Sequence, residues 1–316
     1  MIAFTICSNN YLAKACVLLK SIKSTSNIKV YLCLADQKAE DIDYISLGFE
    51  DVIVPEQLDI KNLQWQLENY NIIELNTALK GAAFKYLFSR STTELIYYFD
   101  PDIKIYKSVD TFGKFWGDGF ILLTPHILSP IPLDGRFPGE NLFLNHGIYN
   151  LGFLGLKRSA IADNFLNWWI ERLAEKCIID LKEGFFTDQI WVTMVPLFFK
   201  NVTILKHPGF NAAYWNLHER NIVFKDSNAL VNGTEDLYFY HFSSFDLNLK
   251  HLVPTDNARY TFENRSEMLA LYKDYLTDLK QFENTKYPAY LYYNGIYPKP
   301  KERVSIIDRI IKRLQR

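Results

Sequence analysis

Apolar positions along this chain switch between two spacings. Ile2 to Cys7 and Val30 to Ala35 are short, continuous apolar runs, as strands buried on both faces require, and Asp51 to Val54 reads as a third strand. Between the first two, Leu12, Ala15, Cys16, Leu19 and Ile22 recur at helical spacing within Tyr11 to Ser24. A short helix is expected within Asp36 to Phe49. This β-α-β alternation predicts an α/β fold with a mainly parallel sheet flanked by helices. Further helices are expected at Asn76 to Ser89, at Ile161 to Leu181 with Trp168 and Trp169, and at Asp188 to Phe199. Strands are expected at Phe120 to Leu123, Gly152 to Leu156 and Thr203 to Leu205. Past Pro254 the alternation fades. Glu267 to Phe282 reads as a helix, Lys286 to Pro300 as a Tyr- and Pro-rich loop, and Lys301 to Arg316 as a last helix. The reading is a catalytic domain over 1–253 and a helical C-terminal extension over 254–316.

Composition narrows the class. Of 316 residues, 48% are hydrophobic, enough for a sizeable core and too many for a disordered chain. Aromatics reach 16%, an excess that serves core packing by default and stacking on sugars or bases as the alternative. A formal net charge of −1 gives no electrostatic footprint for nucleic acid. Cys7, Cys16, Cys33 and Cys177 show neither C-x-x-C nor zinc spacing, and read as buried thiols of a cytoplasmic protein. The opening MIAFTIC enters a strand without a leader pattern, and no apolar run is long enough to span a bilayer.

Candidate chemistry begins at LIYYFDPDIKIY, Leu95 to Tyr106. An apolar strand stops at Asp100-Pro101-Asp102, and Pro101 cannot donate a ladder hydrogen bond, so the two carboxylates belong to a turn at the strand's end. Paired carboxylates suit a hard divalent cation; a plain surface turn is the alternative. In an open parallel sheet the carboxyl ends of strands bind ligands, and Ser8-Asn9-Asn10 occupies another such end. His241 follows the aromatic strand Leu237 to Tyr240; added to two carboxylates it favours manganese over magnesium, and otherwise it is a structural histidine. Asn150 before Leu151-Gly152 offers a donor and an acceptor to a hydroxyl-rich ligand, or else caps a bend. Asp188-Gln189 opens a helix, so Asp188 either caps it or faces a developing positive charge. His207 to Arg220, with Asn211 and Trp215, is rich in polar aromatic residues and reads as the lining of a cleft.

Taken in order, CSNNYLAKACVLLKSI, TALKGAAFKYLF, LIYYFDPDIKIY, ILLTPHI, HGIYNLGFLGLKRS, GFFTDQIW, HPGFNAAYWNLHER and FYHFSSFD resemble bacterial glycosyltransferases of the GT-A fold. The likeness is to the retaining branch that includes glycogenin and the lipopolysaccharide galactosyltransferases, over about residues 1 to 250. The resemblance implies that Asp100, Asp102 and His241 bind Mn2+, with Mg2+ as the alternative. It places Ser8, Asn9, Asn10 and Tyr11 at the uracil and ribose, although the acidic residues frequent there are missing. Lys80, or Lys85 on the same helix, would lie near the donor. Asn150 and Gln189 would contact the donor sugar, Glu140 a sugar hydroxyl, and Asp188 the anomeric carbon. Ser244 stands where the family has Gly, and Leu247 where it has Lys; Lys250 is the candidate substitute.

The implied activity is transfer of a hexose, galactose or glucose, from a UDP-sugar to a surface glycan such as lipopolysaccharide, O-antigen or capsule, the acceptor being an oligosaccharide or lipid-linked glycan. A nucleotide-sugar hydrolase and a catalytically silent carbohydrate-binding subunit are the alternatives. In KERVSIIDRIIKRLQR, residues 301–316, Val304, Ile307, Ile310, Ile311 and Leu314 share one face amid basic residues. Such a helix either lies on the anionic inner face of the cytoplasmic membrane or docks on the core.

Overall fold

The apolar run Leu95–Phe99 lies inside a central sheet whose two faces are both covered. Ala3, Cys7, Tyr97 and Phe99 pack into one hydrophobic cluster, whereas Ile2, Phe4, Ile6, Ile96 and Tyr98 pack into another. The period of two along each strand thus feeds two cores. The computed structural model describes residues 1–225, 228–253 and 255–283. The loop expected at 286–300 and the basic helix expected at 301–316 lie outside the described residues.

Along the chain, β1 (Ile2–Cys7) leads to α1 (Leu12–Thr25), β2 (Lys29–Leu34) and β3 (Val52–Ile53). Next come α2 (Leu63–Asn69), α3 (Ile72–Ala78), α4 (Lys80–Arg90), β4 (Leu95–Phe99), β5 (Ile103–Ile105) and β6 (Ile121–Pro125). They are followed by α5 (Glu140–His146), β7 (Tyr149–Lys157), α6 (Ala160–Lys176), β8 (Ile179–Asp180), β9 (Phe185–Phe186), α7 (Gln189–Val192) and α8 (Val195–Phe198). The last are β10 (Val202–Ile204), β11 (Ile222–Lys225), β12 (Asn228–Val231), β13 (Glu235–Asp236), β14 (Phe239–His241) and α9 (Met268–Glu283).

The sheet order is β10-β6-β7-β4-β1-β2-β3, all parallel except β7, which runs antiparallel to both β6 and β4. The reversed strand matters for the site. Its amino end lies beside the carboxyl ends of β4 and β6, so three strands deliver residues to one edge. The β6–β7 register shifts between Leu123 and Thr124, which pair with Leu154 and Asn150 respectively. This irregularity lets Leu151 to Phe153 bulge past β6 just where the site lies. On the faces, α1 and α9 belong to one cluster, and α3, α4 and α6 to the other. The aromatic excess goes largely to packing: Phe99, Phe112, Phe153, Phe210, Tyr238 and Phe239 contact one another in one cluster.

Several expected elements differ. Residues 36–49 form turns, with no helix. Within this stretch, Asp36 accepts the N–H of Gln37 and Asp43 those of Ile45 and Ser46, so short carboxylates take donors a helix would use, and Asp36 also accepts the N–H of Asn9 across the loop. The helix expected from Asn76 starts earlier, at an Asn71–Glu74 capping box, and breaks at Leu79, where Thr77 bonds back to the carbonyls of Ile73 and Glu74. The helix expected to reach Leu181 ends at Lys176, because the Cys177 N–H leaves for the Tyr70 hydroxyl. Asp188 to Phe199 is two short helices rather than one; Pro196, near the start of α8, has no N–H to continue the first. The strand expected from Gly152 begins at Tyr149, putting Asn150 within a strand. The meander β11–β13 has no counterpart in the expected elements.

Candidate active site

β4 ends at Phe99, and Asp100-Pro101-Asp102 turns the chain into β5. β14 pairs antiparallel with β5, setting His241 opposite Ile103, and the Phe242 N–H donates to Asp102 O at 2.8 Å. A late strand thereby carries its histidine to the acidic turn. Ligand atoms of Asp100, Asp102 and His241 all lie within 4.8 Å of one another. Two carboxylates and one imidazole in that space form a donor set that fits a divalent cation. His241 Nε2 is 3.0 Å from Asp102 Oδ1 and 3.7 Å from Asp100 Oδ2. Burial works to raise the Asp102 pKa, but His241 and, more weakly, Lys14 outweigh it and hold the carboxyl down at about 2. For His241, burial lowers the pKa while Asp102 and Asp100 raise it, and the net direction is upward.

A second charged pair adjoins the first. Lys80, at the start of α4, is buried; its ammonium lies 2.9 Å from Asp188 Oδ2 and 3.6 Å from Asp100 Oδ1, and donates to Leu151 O at 2.9 Å. It also sits 4.6 Å from the centre of the Tyr98 ring, whose hydroxyl donates to Asp100. Burial opposes the Lys80 charge, yet Asp100 and Asp188 outweigh burial and its pKa moves up. Burial dominates at Asp188 and raises its pKa against the pull of Lys80. Asp188 makes no side-chain cap to α7, and its Oδ1 accepts the Thr187 hydroxyl at 3.1 Å, so the capping alternative fails. Three carboxylates and two cations therefore share one edge of the sheet.

Asn150 joins this cluster. Its Oδ1 accepts the Gly152 N–H at 3.1 Å and lies 3.3 Å from His241 Nδ1. Gly152 is demanded here, because a Cβ on it would sit 2.5 Å from His241 Cε1. Gln189 follows Asp188, with its amide donating to His146 O at 2.8 Å. Trp215 lies behind the metal set, its ring edge-on to His241 at 5.2 Å. Asn211 is fully buried at a φ of 53° and donates to Pro125 O at 3.3 Å.

The remaining candidates are less central. Ser8 is buried and donates to Asn10 Oδ1 at 2.5 Å. Asn9 braces the following loop: its Nδ2 donates to Gln37 O and its Oδ1 accepts the Tyr44 hydroxyl. Tyr11 is 42% exposed, leaving a ring face for a ligand. Lys85 does not join the cluster, because its ammonium donates to Asn167 at 2.8 Å in a separate groove lined also by Tyr86, Gln66 and Arg90. Glu140, at the start of α5, accepts the Ile131 N–H at 2.9 Å. Lys250 is exposed, with its backbone N–H held by Asp246. Leu247 is 49% exposed, and Ser244 keeps a φ of 57°, the left-handed conformation that glycine favours.

Two residues at this edge escaped the sequence reading. Lys14, in α1, holds its ammonium 4.2 Å above the Tyr11 ring. His126 follows β6, is buried, and lies 3.2 Å from the Asn150 amide nitrogen. The signal for His126 was a lone polar residue directly after the apolar strand ILLTP.

The fold recurs in a solved structure. The chain is similar to galactosyltransferase LgtC, crystallised in complex with donor and acceptor sugar analogues, at a TM-score of 0.51 and 14% identity, covering 89% of this chain and 96% of that one. The fold is the GT-A fold. By sequence the chain is similar to two uncharacterized proteins of Bacillus subtilis strain 168. YfnF is 27% identical over 217 residues, 67% of this chain and 69% of YfnF. YfnD is 25% identical over 319 residues, 93% of this chain and 94% of YfnD. No family model matches the chain. Among the described residues, no helix is long and apolar enough to cross a membrane.

Proposed function

We propose that this chain is a retaining glycosyltransferase that moves galactose or glucose from a UDP-sugar to a hydroxyl of a surface glycan. The observation that carries the reading is the meeting of Asp100, Asp102 and His241 within 4.8 Å at the carboxyl end of β4, beside the buried Lys80–Asp188 pair. A divalent cation, Mn2+ in this reading, would be held by those three side chains and would neutralise charge on the departing diphosphate.

The chain's own groups account for the rest. In the transfer, the anomeric carbon–oxygen bond to the diphosphate breaks with its electron pair leaving on the UDP. A new bond forms to the acceptor oxygen, whose proton passes to the departing diphosphate oxygen on the same face. Positive charge grows on the sugar ring meanwhile. Asp188, paired with the ammonium 2.9 Å away, faces that charge as a fixed counter-ion. Lys80 so engaged makes Asp188 an electrostatic stabiliser rather than a free nucleophile, which favours attack from the leaving-group face. Asn150 and Gln189 orient the sugar, and Tyr11 offers its exposed ring to the uracil. Lys14, beside that ring and near enough to help hold Asp102 down, takes the diphosphate contact that Leu247 cannot make.

Purified protein supplied with Mn2+, labelled UDP-galactose or UDP-glucose, and glycan acceptors tests this directly. Labelled sugar should appear in the acceptor with the anomeric configuration of the donor. Free sugar as the sole product would make the chain a hydrolase, an inverted anomer would defeat retention, and no turnover with any UDP-sugar would defeat the proposal.

A further inference from the structure

The metal-binding reading leaves a buried imidazole at the same edge unused. His126 is 5% exposed, packed on Phe143 at 5.0 Å and Trp215 at 5.6 Å, and touches none of the three proposed ligands through a hydrogen bond in the structure. We infer that His126 is a positioning residue of the metal centre: its Nε2 holds the Asn150 amide in the one orientation that presents Oδ1 to His241 Nδ1, leaving His241 Nε2 as the nitrogen turned toward Asp102 and a cation held there.

The chain of donors and acceptors has a single solution. The Gly152 N–H can only donate, and it lies 3.1 Å from one end of the Asn150 amide, so that end is the oxygen. The other end is therefore the NH2, which can only donate, and it faces His126 Nε2 at 3.2 Å. His126 Nε2 must be the lone-pair nitrogen. Burial drives the His126 pKa down to about 3, against a weaker opposing pull from the backbone at Ile148, so the ring is neutral at working pH and the lone pair is present.

The same logic runs forward to the ligand. Asn150 Oδ1 can only accept, and it lies 3.3 Å from His241 Nδ1, so Nδ1 carries the hydrogen. The nitrogen turned toward the carboxylates is then Nε2, 3.0 Å from Asp102 Oδ1. Outer hydrogen bonds of this kind fix the tautomer and the ring orientation of metal-binding histidines. Trp215, edge-on to both imidazoles, and Gly152, which leaves no room beside His241, hold the rings against rotation.

The inference rests on the metal reading of the site, and the test separates the two. Mn2+ is titrated calorimetrically into chelator-treated full-length protein and into two variants. His126→Phe keeps an aromatic ring in the Phe143–Trp215 cluster but supplies no acceptor, and should weaken Mn2+ binding about 10- to 100-fold. His126→Gln can offer a carbonyl to the Asn150 NH2 and should restore the affinity to within about threefold of wild type, a rescue that a purely space-filling role would not give. Wild-type affinity in His126→Phe would overturn the inference and leave the metal reading standing. If the wild-type protein binds no Mn2+, the metal reading falls, and imidazole 15N spectra of that same protein at pH 7 decide the remainder. A neutral His126 ring with Nδ1–H supports the relay; a charged or Nε2–H ring overturns it.

Discussion

Gly152 and His241 approach so closely that a Cβ built on the glycine would lie 2.5 Å from Cε1 and 2.7 Å from Nδ1 of the imidazole. No real Cβ tolerates that separation, so Gly152→Ala must displace the ring or bulge β7. Overpacking of this kind costs about 1–3 kcal/mol. The expected outcome is a lower melting temperature together with weaker Mn2+ binding. Gly113→Ala, where a Cβ meets nothing within 4 Å, serves as the control and should change neither. A Gly152→Ala protein that binds Mn2+ as tightly as wild type would show that His241 does not need its present position.

Lys80 and Asp188 are each 3% exposed at the side chain and lie 2.9 Å apart, so each is the other's counter-charge. Lys80→Met leaves a buried carboxylate unpaired and should destabilise the fold by about 3–5 kcal/mol. Adding Asp188→Leu removes the stranded charge, and the double variant should be more stable than Lys80→Met alone. Urea unfolding of the four proteins gives the coupling. Additive losses would mean that the two side chains do not depend on each other. In turnover, Asp188→Asn is expected to lower kcat by about 10²–10³ while the protein stays folded.

Lys14 stands over Tyr11 at the mouth of the site, where no chemistry was expected of it. If it meets the donor's diphosphate in ground and transition states alike, Lys14→Ala should raise KM for the UDP-sugar about tenfold, the worth of ~1.5 kcal/mol for a hydrogen bond to a charged group, with kcat little changed. The effect should exceed that of Lys250→Ala. Equal or reversed effects in steady-state kinetics would return the phosphate contact to Lys250.

The candidate site was more legible in the sequence than some of the helices were. Asp100 and Asp102 stood out because an apolar strand halts at them, and Asp188 and His241 because they recur in order with the other motifs. The first signal is local, and the second is read from the order of motifs along residues 1 to 250. The break at Leu79 and the missing helix over 36–49 were not legible, because they depend on side chains bonding to backbone, as Thr77 and Asp43 do. Lys80 and Lys85 could not be separated by spacing; the fold separates them by turning one to Asp188 and the other to Asn167. His126 stayed hidden because its part depends on contact with Asn150, and a β6–β7 pairing with a shifted register brings the two together.

The four cysteines are all buried and free. Burial pushes the thiols of Cys16 and Cys33 up to about 12 and raises those of Cys7 and Cys177 as well. Native protein should therefore be inert to a thiol-specific reagent at pH 8, and unfolded protein should react at four sites. The sign for stability follows. Above the ordinary thiol pKa of about 9, the unfolded chain loses protons that the folded one keeps. This contribution is complete below pH 9 and is lost as pH rises towards 12. Denaturant midpoints measured from pH 8 to 11 should fall, and rapid labelling of the native protein at pH 8 would contradict the burial.

The central claim is that Asp100, Asp102 and His241 hold one divalent cation together. Counting bound Mn2+ by electron paramagnetic resonance, on the full chain and on Asp102→Ala, tests it most directly. The account predicts one tightly bound ion per wild-type chain, lost in Asp102→Ala while the circular dichroism spectrum is unchanged. A wild-type protein that leaves all its Mn2+ free, or an Asp102→Ala protein that binds it equally well, would contradict the account.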